Sequence, residues 1–199
     1  VLTEATADMA WTLLMAAARR VSESERWLRA GHWKRWAFDQ FLGADVHRST
    51  LGIIGMGRIG SAIARRAGGF EMKVLYNNRS RAANEAEFGA RFVDRDELLR
   101  SADHVVLVLP YSQATHHTIG ERELALMKPT ATLVNIARGG IVDDAALARA
   151  LSEGRLGAAG LDVYENEPDL DPALLEAPRI VLTPHIGSAT HSSRLGMAM

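Results

Sequence analysis

The segment Gly55-Met56-Gly57-Arg58-Ile59-Gly60 constrains this chain more than any other. It follows directly on the apolar run at residues 51–54 and opens a helical pattern. A bare G-x-G-x-x-G is a weak signal, but between a buried strand and a helix each glycine has a physical reason to be there. Gly55 permits the tight turn, Gly57 lets the backbone approach a pyrophosphate, and Gly60 lets helix and strand pack closely. The helix N-terminus adds unpaired N–H groups and a partial positive charge. The segment therefore reads as a dinucleotide-binding loop.

The rhythm around the loop agrees. Short apolar runs at residues 51–54, 73–76, 104–109, 131–136, 158–162 and 179–182 alternate with helical patterns at 58–69, 81–88, 94–101 and 143–153. Runs that are apolar without alternation are buried on both faces, as in a parallel sheet covered by helices. The expected fold is α/β, a doubly wound parallel sheet of Rossmann type with six strands. Ahead of it, residues 5–29 read as one long helix whose apolar face carries Met9, Leu13, Leu14, Ala17, Val21 and Leu28. Residues 30–49 break that pattern and hold Trp33, Trp36, Phe38 and Phe41 among polar neighbours.

Composition closes off several function classes. The 199 residues carry a net charge of −1, which argues against a broad surface for nucleic acid or anionic membrane. The absence of cysteine excludes disulfides, thiolate metal sites and a cysteine nucleophile. No apolar run is long enough to span a bilayer, and residues 1–8 lack the basic region of a signal peptide. The expected location is the cytoplasm, and both ends read as edges of a longer chain.

Candidate chemistry lies just beyond the later strands, where ligand crevices form in doubly wound sheets. The second strand ends in Asn77-Asn78-Arg79-Ser80-Arg81, with two arginines where an NAD site usually carries an acid. Guanidinium groups there suit the 2′-phosphate of NADP, so NADP is preferred and NAD is the alternative. Arg138, followed by two glycines, suits a bidentate clamp on a small carboxylate. His185 is a natural proton donor for a ketone, and Glu167 beside it would favour the imidazolium and orient the ring. The adjacent His116 and His117 are expected to point apart, and the remaining histidines show no ligand spacing, so no metal site is expected.

Four segments occur together in order: the glycine loop, Asn135 to Gly140, Gly160 to Pro168, and Thr183 to Thr190. Together they resemble the D-isomer-specific 2-hydroxyacid dehydrogenase family, most closely its glyoxylate/hydroxypyruvate reductase branch. The resemblance covers essentially the whole chain. It implies reduction of a small 2-oxo acid such as glyoxylate, hydroxypyruvate or 2-ketogluconate, with Arg138 on the substrate carboxylate, His185 as acid/base and Glu167 as its partner. The coenzyme contacts it implies are Gly55, Gly57, Arg58, Ile59, Gly60, Asn78, Arg79, Ser80, Arg81, Pro110, Ala137, Asp162 and Gly187. It further implies an interdomain linking helix over 1–30, a dinucleotide-binding domain over 50–187, and over 188–199 the start of a helix leading back to a substrate domain. Residues 31–49 are either an aromatic loop packed on its own domain or a homodimer contact, with Trp36 reaching toward the partner's substrate pocket. Two rival readings stand beside the enzyme. One is a nucleotide-sensing corepressor on the same fold, and the other is a coenzyme domain without activity of its own.

Overall fold

Strands that are apolar throughout need cover on both faces, and the computed structural model, which describes residues 2–199, provides it. Seven strands form one sheet in the order β3-β2-β1-β4-β5-β6-β7. These are β1 Thr50–Ile54, β2 Lys73–Asn77, β3 Arg91–Phe92, β4 His104–Leu107, β5 Thr132–Asn135, β6 Ala158–Leu161 and β7 Ile180–Leu182. Every pairing is parallel, with Ile53 opposite Tyr76 on one side and Val106 on the other. The pattern predicts six strands. The seventh, β3, is an edge pair of two residues, too short to show a period.

Helices α1 Thr3–Ala18 and α3 Arg58–Ala67 cover one face of the sheet. Helices α4 Arg95–Ser101, α5 Glu121–Leu126, α6 Asp144–Ser152 and α7 Pro172–Glu176 cover the other. The front helix is thus part of the core. Leu13 packs so closely on β6 that a Cβ on Gly160 would lie 2.9 Å from its own. Trp11 stacks on Phe70 and donates its indole N–H to Ile63 O, while Arg66 pairs with Glu4 and Asp8.

Two helical expectations need correction. Residues 5–29 are two helices, because Arg20 adopts φ +54 and ends the first; α2 Val21–Arg29 then turns away with no buried residue. Val21 and Leu28, read as part of one apolar helix face, are exposed. The pattern over 81–88 yields only a 3₁₀ turn at Glu85–Phe88. A last helix, α8 His191–Ala198, follows β7. Val1 lies outside the described residues, and among those described no helix is long and apolar enough to cross a membrane.

One buried group makes stability depend on pH. His104, fully buried at the start of β4, has Nε2 3.0 Å from the Asp45 carbonyl oxygen and no partner at Nδ1 among the described residues. Burial pushes this imidazole below its ordinary range, outweighing the nearby Asp103. The unfolded chain therefore takes up a proton that the folded chain refuses. Stability should fall as pH drops below about 6.5, by up to about 1.4 kcal/mol per pH unit. Urea unfolding at about pH 7 and about pH 5 should show a shallower pH dependence in His104→Gln than in the parent. Equal slopes would assign the effect elsewhere.

Candidate active site

The strand order reverses at β1, with β2 and β3 on one side and β4 on the other, so a crevice opens at the carboxyl ends of these strands. A cleft of about 880 Å³ lies there, and its walls include Ile59, Pro110, Ala137, Arg138, Glu167 and His185. Residues read from separate strand ends are thus brought to one place.

At the β1 end, the three glycines act in three different ways. Gly55 has φ +108, a conformation that L side chains rarely adopt. A Cβ on Gly60 would lie 2.3 Å from Gly55 O, which explains the close contact of helix and turn. A Cβ on Gly57 would meet nothing within 4 Å, so that side of the loop is open to a ligand. The first-turn N–H groups of α3 have no intrahelical acceptors and face an approaching anion. The loop therefore fits a pyrophosphate. Asn78 at the end of β2 accepts the Met56 N–H at 2.7 Å and so holds the loop in shape.

The exposed run after Asn78 divides. Arg81 is paired with Glu85 at 2.5 Å and turned back over the 3₁₀ segment, holding that carboxyl below its usual range. Arg79 and Ser80 stand exposed, and Arg79 has no carboxylate partner among the described residues. Of the two arginines expected to meet a phosphate, Arg81 must first leave Glu85.

At the far strand ends the polar framework is dense. Asn135, buried at the end of β5, accepts Ala137 N–H through Oδ1 and donates to Arg138 O, shaping the turn that carries Arg138. Arg138 itself is exposed to the cleft, with Nη1 2.6 Å from Ala137 O. Glu167 accepts Tyr164 N–H through Oε1 at 2.8 Å and lies 2.8 Å from His185 Nδ1 through Oε2. An ionised carboxylate can only accept, so Nδ1 carries the proton of that bond and Nε2 is left for other chemistry. His185 has φ +52, a conformation held by its surroundings. Asp162, 2% exposed, accepts from Thr183 Oγ1, Ile186 N and Gly187 N and thereby fixes the turn around His185.

Sequence reading missed Asn135, Tyr164 and Thr183 as parts of this framework. The buried Tyr164 hydroxyl donates toward Leu161 O and Thr183 O, joining the ends of β6 and β7, and burial pushes the phenol up. The usable signal was a polar residue placed where an apolar strand ends. One other expectation comes out differently. His116 and His117 do not point apart: their rings stack with centroids 3.8 Å apart, and His117 Nε2 lies 2.7 Å from Glu165 Oε1. Trp36 is 74% exposed and borders an apolar groove with Trp33 and Phe41, separate from the cleft.

Comparisons with known proteins agree with this fold. Residues 11–187 match the family model described as D-isomer specific 2-hydroxyacid dehydrogenase, NAD binding domain. A glyoxylate reductase of Thermococcus onnurineus is 55% identical over 203 residues, covering 100% of this chain and 61% of the relative. An NADPH-dependent glyoxylate/hydroxypyruvate reductase from Sinorhizobium meliloti, solved with NADP and malonate, superposes with a TM-score of 0.90 at 35% identity, over 99% of this chain and 61% of that one. A D-lactate dehydrogenase from Aquifex aeolicus, solved with NAD and lactic acid, gives 0.86 at 31% identity, over 97% and 62%. The chain thus spans about three fifths of the length of the relatives it matches.

Proposed function

The chain belongs to the D-isomer-specific 2-hydroxyacid dehydrogenase family, and from that premise we propose that it is the coenzyme-binding part of an NADP(H)-dependent reductase of small 2-oxo acids. Glyoxylate and hydroxypyruvate are the leading substrates, with 2-ketogluconate third. The observation that carries the reading is the Glu167–His185 contact at 2.8 Å in the same cleft as Arg138. The pairing of an acid/base with a carboxylate clamp favours an enzyme over a corepressor-like sensor.

Arg138 offers the substrate carboxylate a planar fork of N–H donors. A bound nicotinamide supplies the hydride for the carbonyl carbon. His185, charged and held through Nδ1 by Glu167, gives its Nε2 proton to the developing alkoxide. Asp162 and Tyr164 keep the two loops in register, so the acid does not have to be found by diffusion. The test is NADPH oxidation by the full-length protein with glyoxylate and hydroxypyruvate. Absence of turnover with any 2-oxo acid would sink the proposal.

The coenzyme preference has its own test. NADPH should bind roughly tenfold more tightly than NADH, through Arg79 and, once released from Glu85, Arg81. The difference should shrink as salt is raised and should largely vanish in Arg79→Ala. Equal affinities at low salt would overturn the preference.

We further propose that the protein works in the cytoplasm as a homodimer. Trp33, Trp36 and Phe38 are 55%, 74% and 84% exposed on residues 31–49, an apolar surface suited to a second copy of the chain.

A further inference from the structure

Arg138 and His185 must engage opposite ends of one small substrate, yet they stand on loops after different strands. We propose that His117 is the positioning residue that ties the Arg138 loop to the loop of Glu167, which in turn holds His185. This rests on the reductase reading above.

His117, at φ +47, donates its backbone N–H to Gly140 O at 2.8 Å, two residues beyond Arg138. Its Nε2 lies 2.7 Å from Glu165 Oε1, two residues before Glu167. Glu165 N–H in turn donates to Asp144 Oδ2 at 2.9 Å, at the start of α6, where the Arg138 loop ends. The connection closes on itself: 117 to 140, 140 along the chain to 144, 144 to 165, and 165 back to 117. Beyond His117 the tie continues as a short ladder, Ile119 N–H to Ile141 O and Asp143 N–H to Ile119 O. His116 stacks on the His117 ring and approaches the Tyr111 hydroxyl through Nδ1 at 3.3 Å. The charged groups facing the ring are Glu165 and, at 3.9 Å from Nδ1, Asp143. Burial pushes Asp144 up to about 6.

The cleft wall here is made by His116, Gly140 and Glu165, with His117 behind them. It therefore acts through its neighbours and does not touch substrate. The arrangement is also not a metal centre, although ligand atoms of His116, His117 and Glu165 lie within 4.8 Å of one another. The rings are nearly parallel, at 22°, and stacked. Their in-plane lone pairs run alongside each other and do not meet on one ion at roughly 2.1 Å.

The test compares His117→Ala, His117→Gln and Glu165→Ala in the full-length protein. His117→Ala should lower kcat roughly tenfold or more, since small displacements of reacting groups are costly, with KM for NADPH within about twofold of the parent. His117→Gln keeps a side-chain N–H for Glu165 and should recover most of the loss. The double variant His117→Ala/Glu165→Ala should be no slower than the slower single one, because both break the same tie. Unchanged kcat in His117→Ala, no recovery in His117→Gln, or additive losses would each overturn the proposal. Amide hydrogen exchange reads the tie without turnover: His117→Ala should speed exchange at residues 138–141 and 164–167 together, roughly tenfold, and His117→Gln should restore it. Unchanged exchange would overturn the tie even in a protein inert toward 2-oxo acids. Inertness of the parent alone would overturn the reductase reading instead.

Discussion

His185→Gln is expected to lower kcat for 2-oxo acid reduction roughly a thousandfold while leaving NADPH affinity within about twofold. The size follows from what the residue does. Nδ1 is committed to Glu167, so Nε2 holds the proton that the ketone oxygen needs, and glutamine has no proton to give at neutral pH. Binding should survive because the glycine loop and the Arg79 segment follow other strands, β1 and β2. Glu167→Gln should cost less, roughly tenfold to a hundredfold. It keeps an acceptor for the ring but removes the carboxylate that holds and counter-charges it. kcat for reduction and NADPH affinity, measured on both variants, check this. Near-normal turnover in His185→Gln would remove the proposed acid, and parent-like turnover in Glu167→Gln would show that the 2.8 Å contact has no catalytic consequence.

How far the sequence revealed this arrangement depended on the range of the interactions involved. The glycine loop was legible because strand, turn and helix are set within a dozen residues, and each glycine answers a local steric demand. The strand ends were legible because apolar runs stop sharply where polar residues begin. Arg138, Glu167 and His185 could therefore be assigned to one edge of a sheet before any contact was known. Contacts across loops were not legible. Nothing local announces that the Tyr164 hydroxyl reaches Thr183 O at 2.8 Å. The His116–His117 stack was misjudged for the same reason: side chains of neighbours diverge in a regular strand or helix, but His117 sits at φ +47 in neither. The Arg81–Glu85 pair is different: its four-residue spacing was a local signal that went unused. The break at Arg20 was hidden by an apolar period that continued through it, since Val21 and Leu28 remain in phase while facing solvent.

The same contrast between local and long-range demands separates two glycines that look alike in the sequence. Gly139 lies where a Cβ would come within 1.6 Å of Tyr164 O, 2.3 Å of Tyr164 C and 3.0 Å of Glu165 N. All three are backbone atoms, so no side-chain rotation relieves the overlap. Tyr164 is itself held by its hydroxyl at Leu161 O and Thr183 O and by its N–H at Glu167. Displacing its carbonyl therefore moves Glu167 and, through it, His185. Gly139→Ala should lower stability by about 3 kcal/mol, the upper range for forced overpacking, and kcat by more than about a hundredfold. Gly57 gives the opposite outcome. A Cβ there meets nothing within 4 Å, so Gly57→Ala should unfold at the parent's midpoint but bind NADPH far more weakly, because the methyl occupies the space a phosphate needs. Chemical unfolding, coenzyme titration and kcat, measured on both variants, check the pair. Parent-like turnover in Gly139→Ala would mean that the β5 and β6 loops are not in contact in the working enzyme. Unimpaired NADPH binding in Gly57→Ala would remove the glycine loop from the coenzyme site.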